Sequence, residues 1–170
     1  MEKLIDTSES AVLLSTCKWL NEEGWRIRSL SPATGKGLVR LDQQVNQIGT
    51  SLRRMGITHT VDYYTNGPDI AAMKGQALWK IECKGIHGPQ TAQTQRTNFD
   101  RAVASAVSYF EGANTRVGIA IPSTLLFDRK LGRRLPHAMR RALDFWVISY
   151  SEQSGEVMPF GPDCDTLPPD

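Results

Sequence analysis

Apolar positions recur along the 170-residue chain in two periods, and the switches between them predict the order of elements. In residues 8–23, Val12, Leu13, Thr16, Cys17 and Leu20 fall at three- and four-residue spacing. Ser8 is placed to cap this helix and Gly24 to stop it. Residues 25–30 (WRIRSL) alternate apolar with polar, the period of a strand, and SPATGKG follows as a loop. A second helical pattern covers residues 39–55 through Leu41, Val45, Ile48 and Leu52, with Gly56 after its end. Strand patterns dominate residues 58–84, broken by turn signals at Asn66-Gly67-Pro68 and at Lys74-Gly75-Gln76, which closes a hairpin. Residues 91–111 carry Phe99, Val103, Ala106, Val107 and Phe110 on one helical face, and RVGIAIP (116–122) suits a strand buried on both faces. Residues 123–143 read as mostly helical and basic, interrupted at Gly132 and Pro136. FWVISYS (145–151) is another strand, 156–160 adds a hairpin strand, and GPDCDTLPPD has the composition of a flexible tail.

This order implies an α/β domain with a central mixed β-sheet flanked by helices, spanning 1–151, followed by a C-terminal hairpin strand and tail at 152–170. With 40% hydrophobic and 22% charged residues the composition is that of an ordinary globular chain. No apolar run approaches the ~20 residues needed to span a bilayer, so no membrane association is expected. The polar, acidic start MEKLIDTSES lacks the basic start and apolar core of a secretory signal, and a cytoplasmic location is expected. Cys17, Cys83 and Cys164 are odd in number and scattered, and His59, His87 and His137 form no metal-ligand spacing with them. A disulfide framework and a zinc site are therefore disfavoured.

The stretch GPDIAAMKGQALWKIECKG (67–85) carries the candidate chemistry. Along a strand from 77 to 84, Ala77, Trp79, Ile81 and Cys83 share one face, while Leu78, Lys80, Glu82 and Lys84 share the other. The hairpin turn brings Asp69 back beside Glu82. Two adjacent carboxylates repel unless a cation joins them, and a hard divalent ion such as Mg²⁺ suits one or two carboxylates with waters retained. Lys84 is then placed to position or deprotonate a water and to stabilise charge developing on a phosphoryl group. An acid-x-Lys triplet alone says little, since about 0.7 are expected by chance in this composition. Asp128-Arg129-Lys130 is such a decoy, in a basic helical stretch where residues two apart do not share a face. Only Glu82 and Lys84 combine a strand context, an upstream Pro-Asp at hairpin distance and a long helix afterwards.

Pro68-Asp69 followed by Glu82-Cys83-Lys84, with the element order over residues 8–151, resembles the PD-(D/E)xK nuclease superfamily. That group includes type II restriction enzymes, archaeal Holliday junction resolvases and RecB-like nuclease domains. The resemblance implies a restriction-endonuclease-like core in which Asp69, Glu82 and the main-chain carbonyl of Cys83 ligate Mg²⁺, with Mn²⁺ as a substitute, and Lys84 assists the nucleophilic water. Many members carry a Glu on the first helix. Glu9 is the best candidate here, with Glu22 and Glu23 poorer ones at the helix end. RecB-like members add a Gln followed four residues later by a Tyr; Gln95 fits the first position, but Phe99 stands in the second, and Gln90 and Gln93 are equally available. The helix at 39–55 departs from the shortest resolvase pattern.

The net charge of +2 says little about partners, but DRKLGRRLPHAMRR (128–141) carries six Lys or Arg against one Asp. Such a run reads either as a solvated basic helix face or as a phosphate-contacting patch. On the nuclease reading, Arg129, Lys130, Arg133, Arg134, Arg140 and Arg141, with Lys36 or Arg40 in the SPATGKG region, contact the backbone of duplex or branched DNA. Cutting both strands of a duplex implies a homodimer. A non-catalytic nuclease-fold subunit that binds nucleic acid or assembles a DNA-processing complex stays open as the alternative. Gly35-Lys36 lacks the earlier Gly and following Ser/Thr of a P-loop, Cys83 reads as core, and Trp19, Trp25, Trp79 and Trp146 fit core packing better than a base-stacking platform.

Overall fold

The computed structural model describes residues 7–33, 41–123 and 134–164. The chain is an α/β protein built on a seven-stranded mixed sheet of order β2-β1-β3-β4-β5-β6-β7. The strands are β1 (Arg26–Leu30), β2 (Asp62–Tyr63), β3 (Ile70–Lys74), β4 (Ala77–Cys83), β5 (Thr115–Pro122), β6 (Phe145–Tyr150) and β7 (Val157–Phe160). The helices are α1 (Glu9–Glu22), α2 (Leu41–Arg54), α3 (Ala92–Ser108) and a short α4 (His137–Ala142). Strands β4, β5 and β6 run parallel, β3 pairs antiparallel with β1 and β4, and β7 closes the far edge antiparallel to β6. Among the described residues no helix is long and apolar enough to cross a membrane.

The local signals explain these boundaries. Ser8 Oγ accepts from the Ala11 N–H to start α1, and Thr91 Oγ accepts from the Thr94 N–H to start α3, each satisfying a donor that the helix leaves unpaired. Gly24 ends α1 at φ +79°, and Gly75 opens the two-residue hairpin turn at φ +60° without a positive φ at Gln76, the pattern of a type II′ turn. The turn fixes the register Ile70↔Ile81 to Lys74↔Ala77, so alternation sorts the side chains between two faces.

On one face, Val12, Leu13, Cys17 and Leu20 of α1 pack on Ile27, Ile70, Ala72, Trp79, Ile81, Cys83, Ala120 and Ile148, with Ile48 and Leu52 of α2 joining the cluster. On the other, Phe99, Ala102 and Ala106 of α3 cover Val117, Ile119, Ile121, Phe145 and Val147. The four tryptophans, distant in sequence, converge in the first layer. Trp79 meets Trp19, Trp25 and Trp146 edge to face at centroid distances of 5.5, 5.1 and 5.2 Å. The Arg116 guanidinium lies over the rings of Trp25, Trp79 and Trp146 and pairs with Asp144 at 2.9 Å, while Trp146 Nε1 donates to the same carboxylate at 2.8 Å. These rings therefore serve the core, as their separate elements suggested.

Residues 161–164 of the expected tail are tied to the domain. Gly161 packs against the Trp146 ring, and the carbonyls of Gly161 and Cys164 accept from the Arg140 guanidinium.

One close approach seats α1 against the sheet. The Ile86 N–H donates to the Thr7 carbonyl at 2.8 Å, and a Cβ added to Gly85 would fall on the Glu9 nitrogen and the Ser8 carbonyl carbon, far inside van der Waals contact. Only glycine permits that contact. Gly85→Ala is therefore expected to lower unfolding free energy in urea by roughly 2–4 kcal/mol, through displacement of the α1 start. Gly75→Ala, where a Cβ meets nothing within 4 Å, is expected to cost only about 1 kcal/mol, through its positive φ.

Candidate functional site

Asp69 immediately precedes Ile70, which pairs with Ile81, so the antiparallel register carries it across from Glu82 on the α3 side of the sheet. Both carboxylates are 8% exposed. The segment bearing Asp69 is pinned from three sides. The Ser31 N–H donates to the Asp69 carbonyl at 3.0 Å, Ser31 Oγ donates to the Asn66 carbonyl at 3.2 Å, and the Cys83 N–H donates to Asp69 Oδ2 at 2.7 Å. Pro68 and the Gly67 turn deliver the acid, and the neighbouring strands hold it.

Lys84 follows β4 directly, and its ammonium donates to Glu82 Oε1 at 2.7 Å and to the Cys83 carbonyl at 3.0 Å. Glu9 Oε2 lies 4.0 Å from the same ammonium, because Gly85 lets the first turn of α1 sit against the segment after β4. Asp69, Glu82, Lys84, Glu9 and the Cys83 carbonyl thus meet at the C-terminal end of β4, the edge where α/β sheets place their ligands.

Electrostatics follow from this crowding. Burial first and the Glu82 charge second push the Asp69 carboxyl up to about 8, against the lowering effects of the Cys83 N–H and of Lys84. Burial also raises Glu9, partly opposed by Lys84. Burial disfavours the Lys84 ammonium, but its bond to Glu82 and the charges of Glu9 and Asp69 outweigh that and raise it above the ordinary lysine value. Lys84 is therefore a fixed cation here, suited to donating hydrogen bonds and not to accepting a proton. Burial pushes the Cys83 thiol far up, so its sulfur is an inert core group and its contribution to the site is the main chain.

The donor chemistry suits Mg²⁺: two carboxylates and a main-chain carbonyl converge, all hard oxygens. The Lys84 ammonium itself marks a cation position between Glu82 and the Cys83 carbonyl, and a metal touching both would require it to turn away. Among the described residues, no group of three or more His, Cys, Asp or Glu is gathered for a metal, so any ion would rest on Asp69, Glu82, the carbonyl and water.

The remaining expected residues fall elsewhere. Glu22 sits at the far end of α1 in an exposed pair with Lys18, and Glu23 is exposed, so of the α1 acids it is Glu9 that reaches the site. Gln95 is half-buried near the start of α3, and among the described residues no side-chain hydrogen bond joins it to the carboxylates; Phe99 is core. Arg140 departs from its expected role in contacting DNA: it is 2% exposed, and its guanidinium serves the Gly161 and Cys164 carbonyls inside the fold. Arg134 and Arg141 are at the surface, paired with Asp100 at 3.0 Å and Asp163 at 3.2 Å. Lys36, Arg40, Arg129, Lys130 and Arg133 lie outside the described residues.

One site residue was missed from sequence. The Tyr109 hydroxyl lies 3.1 Å from Glu82 Oε2 and 3.1 Å from the Gly67 carbonyl, sharing its single hydrogen between them. Burial and the Glu82 charge raise this phenol, so it stays a donor. It fixes the second oxygen of Glu82 while Lys84 holds the first. Its position just past the last turn of α3 gave no motif, only an aromatic with a polar end at a helix terminus. Gly85, next to the acid-x-Lys triplet, was the readable sign of a close approach.

Against protein-family models, curated proteins and solved structures, the chain gives no significant match.

Because Asp69 is raised when folded, its ionisation opposes folding. No penalty exists below about pH 4, where the group is protonated in both states; the penalty grows as pH rises towards about 8 and is constant above. Asp69→Asn keeps an acceptor for the Cys83 N–H and removes the charge. Without added divalent ions, thermal or urea unfolding should show Asp69→Asn and wild type alike near pH 4. The variant should be more stable by on the order of 5 kcal/mol at pH 8.

Proposed function

We propose that the chain is a Mg²⁺-dependent DNA nuclease, an endonuclease of the PD-(D/E)xK kind that the Pro68-Asp69 and Glu82-Cys83-Lys84 spacing resembles. The observation that carries this reading is the meeting of Asp69, Glu82, Lys84 and Glu9 around the Cys83 main chain, although Asp69 and Glu82 lie 13 positions apart and Glu9 and Asp69 lie 60 apart. Asp69, Glu82 and the Cys83 carbonyl would hold Mg²⁺, or Mn²⁺ in its place. Bound there, such an ion supplies a Lewis acid for a phosphoryl oxygen and lowers the pKa of a bound water.

The chain's own residues do the rest. In phosphodiester hydrolysis the oxygen of water bonds to phosphorus and gives up a proton to solvent, one P–O ester bond breaks, and the leaving oxygen takes up a proton in its place. Lys84, held as an ammonium, donates to the attacking water and to the negative charge that grows on the phosphoryl oxygens. Tyr109 keeps the Glu82 carboxylate from rotating, and the Cys83 N–H does the same for Asp69. Glu9 adds a third acid at the rim, facing Lys84. The substrate is duplex or branched DNA, a homodimer serves duplex cutting, and the reducing cytoplasm suits the buried, unpaired Cys17 and Cys83.

Incubating plasmid and branched DNA with Mg²⁺ or Mn²⁺ tests this reading. Wild type should cleave. Asp69→Asn, Glu82→Ala and Lys84→Ala should each lose at least about 100-fold in rate while staying folded, and Tyr109→Phe, which only loosens Glu82, about 5- to 20-fold. Cleavage indifferent to Glu82→Ala and Lys84→Ala would overturn the site. Binding without cleavage by wild type would favour the non-catalytic subunit instead.

A further inference from the structure

A second feature shares the sheet face of the carboxylates. Beyond the edge of α3, which packs on β4 and β5, a concavity of about 590 Å³ is lined by Arg26 and Arg28 of β1, Met73 of β3, Gly24, Lys74, Gly75, Thr60 and Asp62. Arg26 pairs in register with Met73, while Ile27 and Ala72 are fully buried against α1, so the two arginines stand on the opposite, open face. An irregularity between Ile27 and Ser29 shifts the β1 register, and such bulges re-aim a side chain.

Both arginines are exposed, and neither makes an ion pair among the described residues; Arg28 only approaches the Met73 sulfur, at 3.9 Å. Lys74 donates to the Glu23 carbonyl at the rim, and Asp62 is the one carboxylate of the lining. This contrasts with the basic run near the C-terminus, where Arg134 and Arg141 already have acidic partners and Arg140 is buried.

The position is informative. Ala71 and Met73 share one face of β3, with Lys80 and Leu78 beside them on β4, and Asp69 and Glu82 lie at the end of that line where β3 begins. Met73 stands four residues after Asp69, about 13 Å along extended chain, which is close to four base-pair rises along one DNA strand. The small Ala71, 8% exposed, lies between.

We propose that Arg26 and Arg28 form a phosphate-binding groove that holds the DNA backbone about four nucleotides to one side of the bond placed at Asp69 and Glu82. The groove's role as a substrate track rests on the nuclease reading, whereas its binding of DNA does not. Two unneutralised guanidiniums in a concave site match a polyanion, and their fork geometry suits phosphate oxygens. The Asp62 carboxylate on one wall would repel phosphate and bias the strand towards the Arg26 and Met73 side.

The test reads binding and cleavage separately. In EDTA, fluorescence anisotropy with a labelled duplex of about 20 base pairs should show Arg26→Ala and Arg28→Ala each weakening binding about 3- to 10-fold. The double variant should flatten the slope of log K against log salt by about 1.8. Lys18→Ala, an exposed cation on α1 across the sheet, should stay within about twofold, and the arginine variants, changed at exposed positions, should melt like wild type. Unchanged affinity and salt slope in the double variant would overturn the groove, as would a wild type that binds inorganic phosphate but no duplex. With Mg²⁺, wild-type cleavage that the double variant retains at unchanged KM would sink the groove and leave the nuclease standing. Arginine-dependent binding without any cleavage would do the reverse.

Discussion

Two carboxylates face each other across β3 and β4 where water hardly reaches them, and much of the surrounding structure follows from that constraint. Left alone, two buried negative charges at neighbouring strand positions would be strongly unfavourable. The fold answers with a main-chain N–H on Asp69, an ammonium on Glu82 Oε1 and a phenol on Glu82 Oε2. The first comes from β4 itself, the second from the residue after it, and the third from the end of α3. Even so, burial and the Glu82 charge keep the Asp69 carboxyl raised to about 8.

The opposite end of the sheet is organised for stability. Trp79, buried in the middle of β4, gathers Trp19, Trp25 and Trp146 around it, and Arg116 lies over three of the rings while held by Asp144. Trp79 belongs to the same strand as Glu82, three positions away, with its side chain on the other face. A rigid aromatic anchor on one face of β4 thus limits movement of the acid on the other, and α1 couples both ends by seating its first turn on Gly85 and its last against Lys74. Residues far from the chemistry therefore help to hold its geometry.

Charge is distributed on the surface by partner availability more than by count. The basic run at 128–141 is dense in sequence, yet within it Arg140 is structural and Arg134 and Arg141 sit in exposed ion pairs. Arg26 and Arg28, only two residues in an unremarkable strand, keep their charge open to solvent on the face that leads to Asp69. An exposed pair contributes little stability and can exchange partners, so the surface arginines of the run remain available, but a cation without a partner gains most from a phosphate.

The candidate site was largely legible because its evidence is local. The alternation Ala77, Trp79, Ile81, Cys83 against Leu78, Lys80, Glu82, together with the Gly75 turn, places Asp69 beside Glu82 by strand period and turn type alone. The same periodicities marked out the sheet's strands and the helices α1, α2 and α3 to within a few residues. Packing between elements decided what no period encodes: that Tyr109 swings onto Glu82, that Glu9 and not Glu22 reaches Lys84, that Arg140 turns inward, that four scattered tryptophans meet, and that Arg26 and Arg28 look out over an open face. Hydrophobic period and turn chemistry act over a few neighbouring residues, so sequence determined the elements and the facing pair of acids. The company those acids keep depends on how helices lie across the sheet, a property of the whole core, and only the tertiary structure could decide it.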